Sequence, residues 1–355
     1  MRQTTKGKIL AGHEANTLLQ TPIIASVPDG PGDLRCDQPT AALPASALRG
    51  AIGALEQGQT HYVDVPGIMP LREAIASGLG ADYRADAIVV TASVQEARLL
   101  TLQILGQSSG SLALPSVVHP GVRKALGVRP LVHRWLEVDD GARLLPSVEV
   151  VGAALASGAK CVFLESPSRL TGAVYSAAEV EHLGRLVVEH SALIVWDQGL
   201  SQWAATGASL GALGVGAERV TLIGEVFPGV GLEGLAIGFI ATSGTHTADF
   251  TSLKQIIAIC TSTASQYAAL GVDEGYTARR DEVEGELRER RSRLLQWLES
   301  IGAQVLEGGA ANLVAVRRTD TVATALRERG LAAAEGSAFG APNVLRLAIP
   351  GEVPQ

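Results

Sequence analysis

The sequence predicts an α/β protein with a mostly parallel, seven-stranded sheet in a large domain and a small α+β domain at the carboxyl end. Three observations predict it: the length of the chain, its apolar composition, and short apolar runs that alternate with helical stretches. The 355 residues are 46% apolar and 18% charged, enough for a large core and for two domains. Strands and helices that alternate in this way are typical of a doubly wound sheet.

The chain is predicted to begin with an irregular arm over residues 1–45, because residues 28–33 are rich in turn formers. Helical spacing follows over Ala45–Leu55. Another helix begins at Pro70, since proline suits the first turn of a helix.

Seven apolar runs are predicted to be the strands of a large domain over residues 46–250. Turn residues separate the runs, and a helical stretch follows most of them. They are Ile88–Thr91, Ser111–Leu114, Leu131–Val138, Cys161–Leu164, Leu193–Trp196, Val220–Ile223 and Ala236–Ala241.

Linking helices are predicted over residues 251–285 and a small domain over residues 286–355. In the small domain, a helical stretch over residues 321–329 lies between two strand patterns, Asn312–Val316 and Val344–Ile349. Glu and Arg recur at i,i+4 spacing over residues 281–293, which we interpret as a solvated helix face with ion pairs.

Composition and charge exclude several classes of function. The net charge is −7 and no basic run occurs, which argues against nucleic-acid binding. The apolar runs are too short to cross a bilayer, and no signal peptide is recognised. Three widely spaced cysteines form neither a disulfide framework nor a metal motif, so a reducing cytoplasm is expected.

Polar and ionisable residues follow several predicted strands. Ligands of parallel sheets bind beyond the carboxyl ends of the strands. Each such residue alone could be a turn cap or a solvated carboxylate, whereas their clustering favours a site. The residues are Ser93, Ser116, His119, Glu165, Ser166, Asp197, Gln198 and Glu225.

Two glycine-rich segments carry a family resemblance. Residues 231–235 read Gly-Leu-Glu-Gly-Leu, and residues 335–340 read Glu-Gly-Ser-Ala-Phe-Gly. Both resemble the class I/II aminotransferases, which are pyridoxal-phosphate enzymes of fold type I. The resemblance runs from about Leu34 to Ile349, and it implies that fold and a homodimer with pockets at the interface.

The resemblance implies roles for four residues. Tyr62 matches the tyrosine that reaches the cofactor phosphate of the neighbouring subunit. Ser93 lies in the phosphate-binding turn, at a position where the family commonly has glycine. Asp197 matches the partner of the pyridine nitrogen, and Arg346 matches the arginine that clamps a substrate α-carboxylate.

Other positions depart from the family pattern. Pro228 stands at the position of the lysine, and proline has no amine with which to form a Schiff base. Ala236 stands at a phosphate-binding arginine, and Arg169 and Leu200 replace the partners of the phenolic oxygen. Glu225 places a carboxylate where the phosphate would need a hydroxyl group, a repulsion of the order of a few kcal/mol.

None of the five lysines is expected to substitute for the missing one. Lys124 is predicted on the helix that follows His119, and Lys160 precedes a strand at the wrong end of the sheet. Lys254 is expected at the surface. The others, Lys6 and Lys8, belong to the arm.

These departures predict an enzyme that binds an amino-acid-like carboxylate substrate and performs acid–base chemistry without pyridoxal phosphate. Crowded carboxylates raise a pKa and suit such chemistry. The predicted catalytic residues are Glu165, Asp197 and Glu225. The predicted substrate-binding residues are Tyr62, Ser93, His119, Arg169 and Arg346.

No cofactor and no metal are expected. Two alternatives stay open at this point. The first is a non-catalytic pseudoenzyme that serves as a partner or sensor. The second is a transaminase-like enzyme that binds pyridoxal or pyridoxamine phosphate non-covalently, with Asp197 as a cofactor-binding residue.

Overall fold

The computed structural model describes residues 29–30, 32–36, 41–80, 83–129, 131–138, 140–141, 143–200, 217–242, 244–272 and 275–349. Within these ranges the helices and strands, in chain order, are β1 (Asp33–Leu34), α1 (Ala45–Glu56), α2 (Met69–Leu79), β2 (Ile88–Ala92), α3 (Ser93–Ser108), β3 (Leu112–Pro115), α4 (Pro120–Val128), β4 (His133–Leu136), α5 (Val148–Ala156), β5 (Cys161–Glu165), α6 (Ala177–Glu189), β6 (Leu193–Asp197), β7 (Val220–Glu225), β8 (Ile237–Ala241), α7 (Gly244–Ala258), α8 (Thr263–Leu270), α9 (Tyr276–Ser300), β9 (Leu313–Arg317), α10 (Asp320–Glu328), β10 (Ala332–Glu335) and β11 (Val344–Ala348).

The large sheet has seven strands in the order β2-β8-β7-β6-β5-β3-β4. β8 runs antiparallel to both of its neighbours, and the remaining pairs are parallel. This confirms the predicted fold class and its mostly parallel sheet. β4 is shorter than the predicted run over residues 131–138, because its partner β3 pairs over only four residues and ends at Pro115.

Helices cover both faces of the large sheet. Apolar residues of α2, α5, α6 and α8 pack in one layer, and those of α3, α4 and α7 pack in the other. Successive residues of β5 point to opposite layers, with Val162 in the first layer and Phe163 in the second. Side-chain alternation therefore decides which face of the sheet each strand-end residue reaches.

The smaller sheet has the order β1-β10-β11-β9, and α9 and α10 pack against its apolar residues. β1 comes from the predicted arm and pairs in parallel with β10. Residues 1–28 of that arm lie outside the described residues, and the predicted domain boundaries stay predictions. On α9, Glu284–Arg288 and Glu286–Arg290 form the i,i+4 ion pairs that the charge pattern predicts.

Local signals start several of the helices. Ser176 and Glu179 form a capping box at the start of α6. Pro70 lies in the first turn of α2, as predicted. None of the described helices combines the length and the apolar character that a membrane span requires.

Candidate functional site

Three acidic residues end neighbouring strands at the carboxyl edge of the large sheet. Glu165 of β5 lies opposite Asp197 of β6, and Glu225 ends the adjacent strand β7. Val195 and Ile223 precede two of these residues by two positions and pack in the α3–α4 layer. Since strand side chains alternate, the acidic residues point to that same face. The sheet thus brings together the residues predicted to be catalytic.

An arginine of α3 neutralises the central carboxylate. Arg98 Nε lies 2.7 Å from Asp197 Oδ2, and the two side chains are 2% and 1% exposed. Asp197 Oδ1 accepts a hydrogen bond from the Gly199 N–H at 3.0 Å. Both oxygens of this buried carboxylate therefore have partners.

Sequence reasoning missed Arg98. The available signal was a single arginine in a helix whose neighbouring positions are apolar, and Ala97, Leu100 and Val94 are indeed buried around it. A fully buried arginine is rare unless it has a partner. That partner is Asp197, which lies far away in the sequence.

His119 caps α4 and binds Arg98. Its Nδ1 accepts a hydrogen bond from the Gly121 N–H at 3.0 Å and lies 3.0 Å from Arg98 Nη1. Both neighbours are donors, so Nδ1 carries no proton. Burial, followed by the charges of Arg98, Arg169 and Arg346, holds the pKa of His119 well below 6.5. The imidazole is therefore neutral.

Glu165 is a buried acid beside Asp197. Its Oε1 accepts a hydrogen bond from the His119 backbone N–H at 2.9 Å. Burial, and secondarily the negative charge of Asp197, raise the pKa of Glu165 to about 7. Its charge thus changes near neutral pH.

A second ion pair lies at the end of β7. Arg169 Nη2 lies 3.0 Å from Glu225 Oε1, with side-chain exposures of 8% and 28%. Arg169 lies in the loop after β5, and its guanidinium passes close to Gly199. A Cβ at Gly199 would lie 2.5 Å from Arg169 Nη2 and 3.1 Å from Asp197 Oδ1, so this approach requires glycine.

Arg346 of β11 joins the small sheet to this edge. Its Nη1 donates to the Arg169 carbonyl oxygen at 3.2 Å, and its Nη2 donates to the Arg35 carbonyl oxygen at 2.6 Å. The guanidinium also lies over the Phe339 ring, 5.3 Å from its centroid. The predicted carboxylate clamp is thus completely buried and bonded to the backbone of its own chain.

These charged residues form a single group, which we name the carboxyl-edge cluster. It consists of Arg98, Arg169, Arg346, Glu165, Asp197 and Glu225.

Tyr62 and Ser93 lie outside this cluster. Tyr62 is 79% exposed. Ser93 begins α3 with a φ of 76°, a left-handed conformation that favours glycine, and its Oγ accepts a hydrogen bond from the Gln95 N–H at 3.2 Å. The start of α3 is therefore partly capped by its own serine.

A buried ion pair also contacts the start of α3. Glu96 accepts a hydrogen bond from the Ala92 N–H and lies 3.1 Å from Lys254 Nζ. Lys254 is completely buried and also bonds Thr261 Oγ1 at 3.0 Å. The expectation that Lys254 lies at the surface is wrong, because Glu96 provides a buried counter-charge that its sequence position does not reveal.

A cavity of about 530 Å³ lies beside the end of β7. Its lining includes Ile75 and Leu79 of α2, Phe239 of β8, Arg280 of α9 and Glu225. Phe239 packs in the α2 layer, on the face of the sheet opposite to the carboxyl-edge cluster. The cavity has the size of a small-molecule pocket, and it meets the cluster at Glu225.

The strand order, the covered sheet, the small α+β domain and the charged carboxyl edge together define fold type I, the fold of many pyridoxal-phosphate-dependent transferases. The model of the family described as Aminotransferase class I and II matches residues 30–354. The chain therefore belongs to the class I and II aminotransferase family.

Curated relatives match most of the chain. The aspartate aminotransferase of Thermotoga maritima is 26% identical over 332 residues, which are 89% of this chain and 85% of that protein. The aromatic-amino-acid aminotransferase 2 of Thermococcus litoralis is 24% identical over 308 residues, 81% of this chain and 78% of that protein.

Solved structures share the fold. The N-succinyldiaminopimelate aminotransferase of Mycobacterium tuberculosis has a TM-score of 0.82 at 21% identity and covers 96% of this chain and 93% of its own. The Thermus thermophilus aspartate aminotransferase with maleate has a TM-score of 0.80 at 24% identity, with 96% and 92% covered.

Two predictions are contradicted by these comparisons. Cofactor-independent acid–base chemistry, together with its pseudoenzyme and non-covalent alternatives, is wrong, because relatives along most of the chain are named as aminotransferases. The expectation of no cofactor is contradicted for the same reason, since that family is a pyridoxal-phosphate family. The predictions relied on a few substituted positions, whereas the similarity to these relatives extends over most of the chain.

The described residues do not fit the family's way of holding pyridoxal phosphate. Asp197, which the resemblance assigns to the pyridine nitrogen, is bonded to Arg98 instead. Glu225, which the resemblance assigns to a phosphate position, is paired with Arg169. The backbone carbonyl of Pro228 accepts a hydrogen bond from Tyr276 at 3.2 Å, and its side chain offers no donor.

Within the described ranges, no group of three His, Cys, Asp or Glu residues is arranged to hold a metal ion.

Proposed function

We propose that this chain is an enzyme that acts on an amino acid or a 2-oxo acid, as an aminotransferase of its family. Family membership and the names of the relatives support this function. A solved relative from Thermus thermophilus holds maleate, a small dicarboxylate. The observation that carries the proposal is the meeting of three buried arginines, Arg98, Arg169 and Arg346, at the ligand-binding edge of the sheet.

Charge explains why this edge suits a carboxylate. The three arginines of the carboxyl-edge cluster are opposed by Asp197 and Glu225, while the pKa of Glu165 lies at about 7. Below that pH the cluster carries an excess of positive charge. Arginine forms strong hydrogen bonds with carboxylates, so an amino acid or oxo acid compensates the excess.

Amino-group transfer tests this function directly. The purified chain is incubated with pyridoxal phosphate, a ¹⁵N-labelled amino acid and an unlabelled 2-oxo acid, and mass spectrometry follows the label. Aspartate and phenylalanine serve as donors, in keeping with the named activities of the relatives. Thermal unfolding with each acid reports binding independently. The proposal is overturned if no acid raises the melting temperature and no label is transferred.

We also propose that Pro228 occupies the position of the family's Schiff-base lysine. The alignment on residues 231–235 supports this, and Pro228 follows the end of β7 by three residues. Pro228→Lys is then expected to create the absorption band of a Schiff base on addition of pyridoxal phosphate. Phe227→Lys is the matched control, since it places the same amine one residue away. An equal band in both variants, or none in Pro228→Lys, would contradict the alignment.

We propose that the chain acts as a homodimer. An apolar stripe of α1, formed by Leu48, Ile52 and Leu55, is 45–53% exposed, and Tyr62 is 79% exposed. Such exposed apolar groups are common at interfaces between subunits. Light scattering is expected to give the mass of two chains, and Ile52→Glu is expected to shift it toward one. A monomeric wild type would exclude this assembly.

The cytoplasm is the proposed location. Cys36, Cys161 and Cys260 are free thiols, which suits a reducing compartment. Fractionation of the producing cells tests the location, and recovery of the chain only outside the cytoplasm would contradict it.

A further inference from the structure

The cavity beside the end of β7 is distinct from the carboxyl-edge cluster. It lies between α2, the start of α9 and the face of the large sheet that carries Phe239, whereas the acidic residues at the strand ends point to the opposite face. Of the six residues in the cluster, Glu225 alone lines the cavity. Its volume of about 530 Å³ is in the range of pockets that bind small molecules. The fold therefore contains a second space in which a ligand can bind.

Three aromatic side chains line this cavity. The rings of Phe227 and Tyr276 have centroids 5.1 Å apart and are inclined at 52° to each other. The third ring is that of Phe239, which packs over Gly224, where a Cβ would lie 3.0 Å from the ring. Aromatic rings gain stabilisation from offset or edge contacts with a further ring. The lining therefore favours a ligand with an aromatic group.

The backbone holds Phe227 in a conformation that is costly for a bulky residue. Its φ is 45°, in the left-handed region that favours glycine. The next residue is fixed as well, because the Tyr276 hydroxyl donates to the Pro228 carbonyl oxygen at 3.2 Å. Strained residues of this kind are concentrated at binding sites, where the strain serves to place a side chain. Here it places an aromatic ring that is only half-buried at the cavity.

Arg280 brings a positive charge to the cavity. Its Cζ lies over the Tyr276 ring, 5.9 Å from the centroid. Its Nε and Nη2 donate to Asp281 Oδ1 at 3.0 and 2.6 Å, and its Nη1 has no acceptor among the described residues. The other charged residue in the described lining, Glu225, is already paired with Arg169 at 3.0 Å. Arg280 can therefore still bind an anionic group, and a guanidinium suits a carboxylate.

We propose that this cavity binds an aromatic carboxylic acid, with its ring against the aromatic side chains and its carboxylate at Arg280. The site goes beyond the proposed function and does not depend on it. An aliphatic dicarboxylate lacks the ring that the lining favours. A neutral aromatic compound lacks the group that Arg280 binds. The two features together define the class of ligand.

Calorimetric titration of the full chain with 3-phenylpropionate tests the site. This probe has neither an amino nor an oxo group, so it cannot take part in amino-group transfer. Gly78→Trp should obstruct the cavity, because Gly78 lines it from α2 and has open space where a side chain would begin. The dissociation constant is expected to rise by at least about tenfold. Gly285→Trp is the matched control, since Gly285 also has open space but lies on α9 outside the lining.

A second pair of variants tests the charge and serves if Gly78→Trp folds poorly. Arg280→Met should weaken binding of 3-phenylpropionate by about tenfold, the effect of losing one charged hydrogen bond, and should leave binding of the neutral 3-phenylpropan-1-ol unchanged. Arg279→Met is the control, because the neighbouring Arg279 pairs with Glu282 and lies outside the lining.

Competition separates this site from that of the proposed function. Saturating L-aspartate should leave the affinity for 3-phenylpropionate unchanged, because the two acids bind in different places. The proposal is overturned if the wild type does not bind 3-phenylpropionate, if L-aspartate displaces it, or if a folded Gly78→Trp or Arg280→Met variant binds it as tightly as the wild type. None of these results bears on the amino-group transfer assay, so the two proposals fail separately.

Discussion

Arg98 Nε and Asp197 Oδ2 lie 2.7 Å apart in the interior, although the two residues are 99 positions apart in the chain. The pair joins α3 to the end of β6 at the centre of the carboxyl-edge cluster. Both side chains are almost fully removed from solvent, so each charge depends on the other. The position that the family resemblance assigns to a coenzyme partner is thereby part of the protein's own ion-pair network.

Breaking this pair should destabilise the fold. Arg98→Met leaves the Asp197 carboxylate buried without its counter-charge, and we expect the free energy of unfolding to fall by about 3–5 kcal/mol. Urea denaturation measures the change. The double variant Arg98→Met with Asp197→Leu removes both charges and should lose less than Arg98→Met alone. A double variant that is less stable than Arg98→Met would refute the coupling.

Glu165 should make stability depend on pH. Its folded pKa is about 7, above the ordinary value of 4.5, so the folded state holds the proton more tightly than the unfolded chain. Glu165 contributes most to the free energy of unfolding below pH 4.5. This contribution decreases as the pH rises to 7 and then levels off, and the total decrease is about 3 kcal/mol.

Comparison of the wild type with Glu165→Gln at pH 5, 6, 7 and 8 isolates this contribution. The wild type should become less stable relative to the variant as the pH rises, because only the wild type must lose a proton from a buried acid. A constant difference over this range would show that Glu165 has no raised pKa.

Gly199 should be intolerant of a side chain. In Gly199→Ala the new methyl group would lie 2.5 Å from Arg169 Nη2, so the Arg169–Glu225 pair must move. We expect a loss of about 1–3 kcal/mol in the free energy of unfolding, typical of overpacking. Gly285→Ala is the control, because Gly285 lies within α9 with open space around it, and alanine should stabilise that helix by about 1 kcal/mol. Equal effects at the two sites would disprove the close approach.

Lys254 should contribute to stability through Glu96. Lys254→Met leaves the Glu96 carboxylate without its buried partner, and a loss of about 3–5 kcal/mol in the free energy of unfolding is expected. Lys160→Met is the control, since Lys160 is exposed and its Nζ donates to the His190 carbonyl oxygen as its one hydrogen bond with the described residues. Thermal and urea unfolding of the two variants measure the difference, and a mild effect at Lys254 would argue against the buried pair.

The sequence predicted the sheet and its acidic edge but misjudged how that edge is neutralised. Glu165, Asp197 and Glu225 lie on neighbouring strands, which agrees with the sheet order of the family that the sequence resembles. The counter-charge of Asp197 is Arg98, which lies on α3 and not on a neighbouring strand. The residue pattern of α3 gives no sign of this partner. Asp197 and Glu225 are therefore paired with arginines rather than merely crowded, and burial raises the pKa of Glu165 to about 7.

The strands, the helices and the residues at the strand ends could be read from the chain alone, because they depend on the spacing of apolar residues over a few positions. The same holds for Pro228 and for the family resemblance, which are matters of residue identity. Burial of Lys254, the bonding of Arg346 to backbone carbonyls and the unpartnered Nη2 of Arg98 emerged only from the folded chain. These features depend on contacts between residues far apart in sequence, and no local pattern encodes which side chains will share a buried charge.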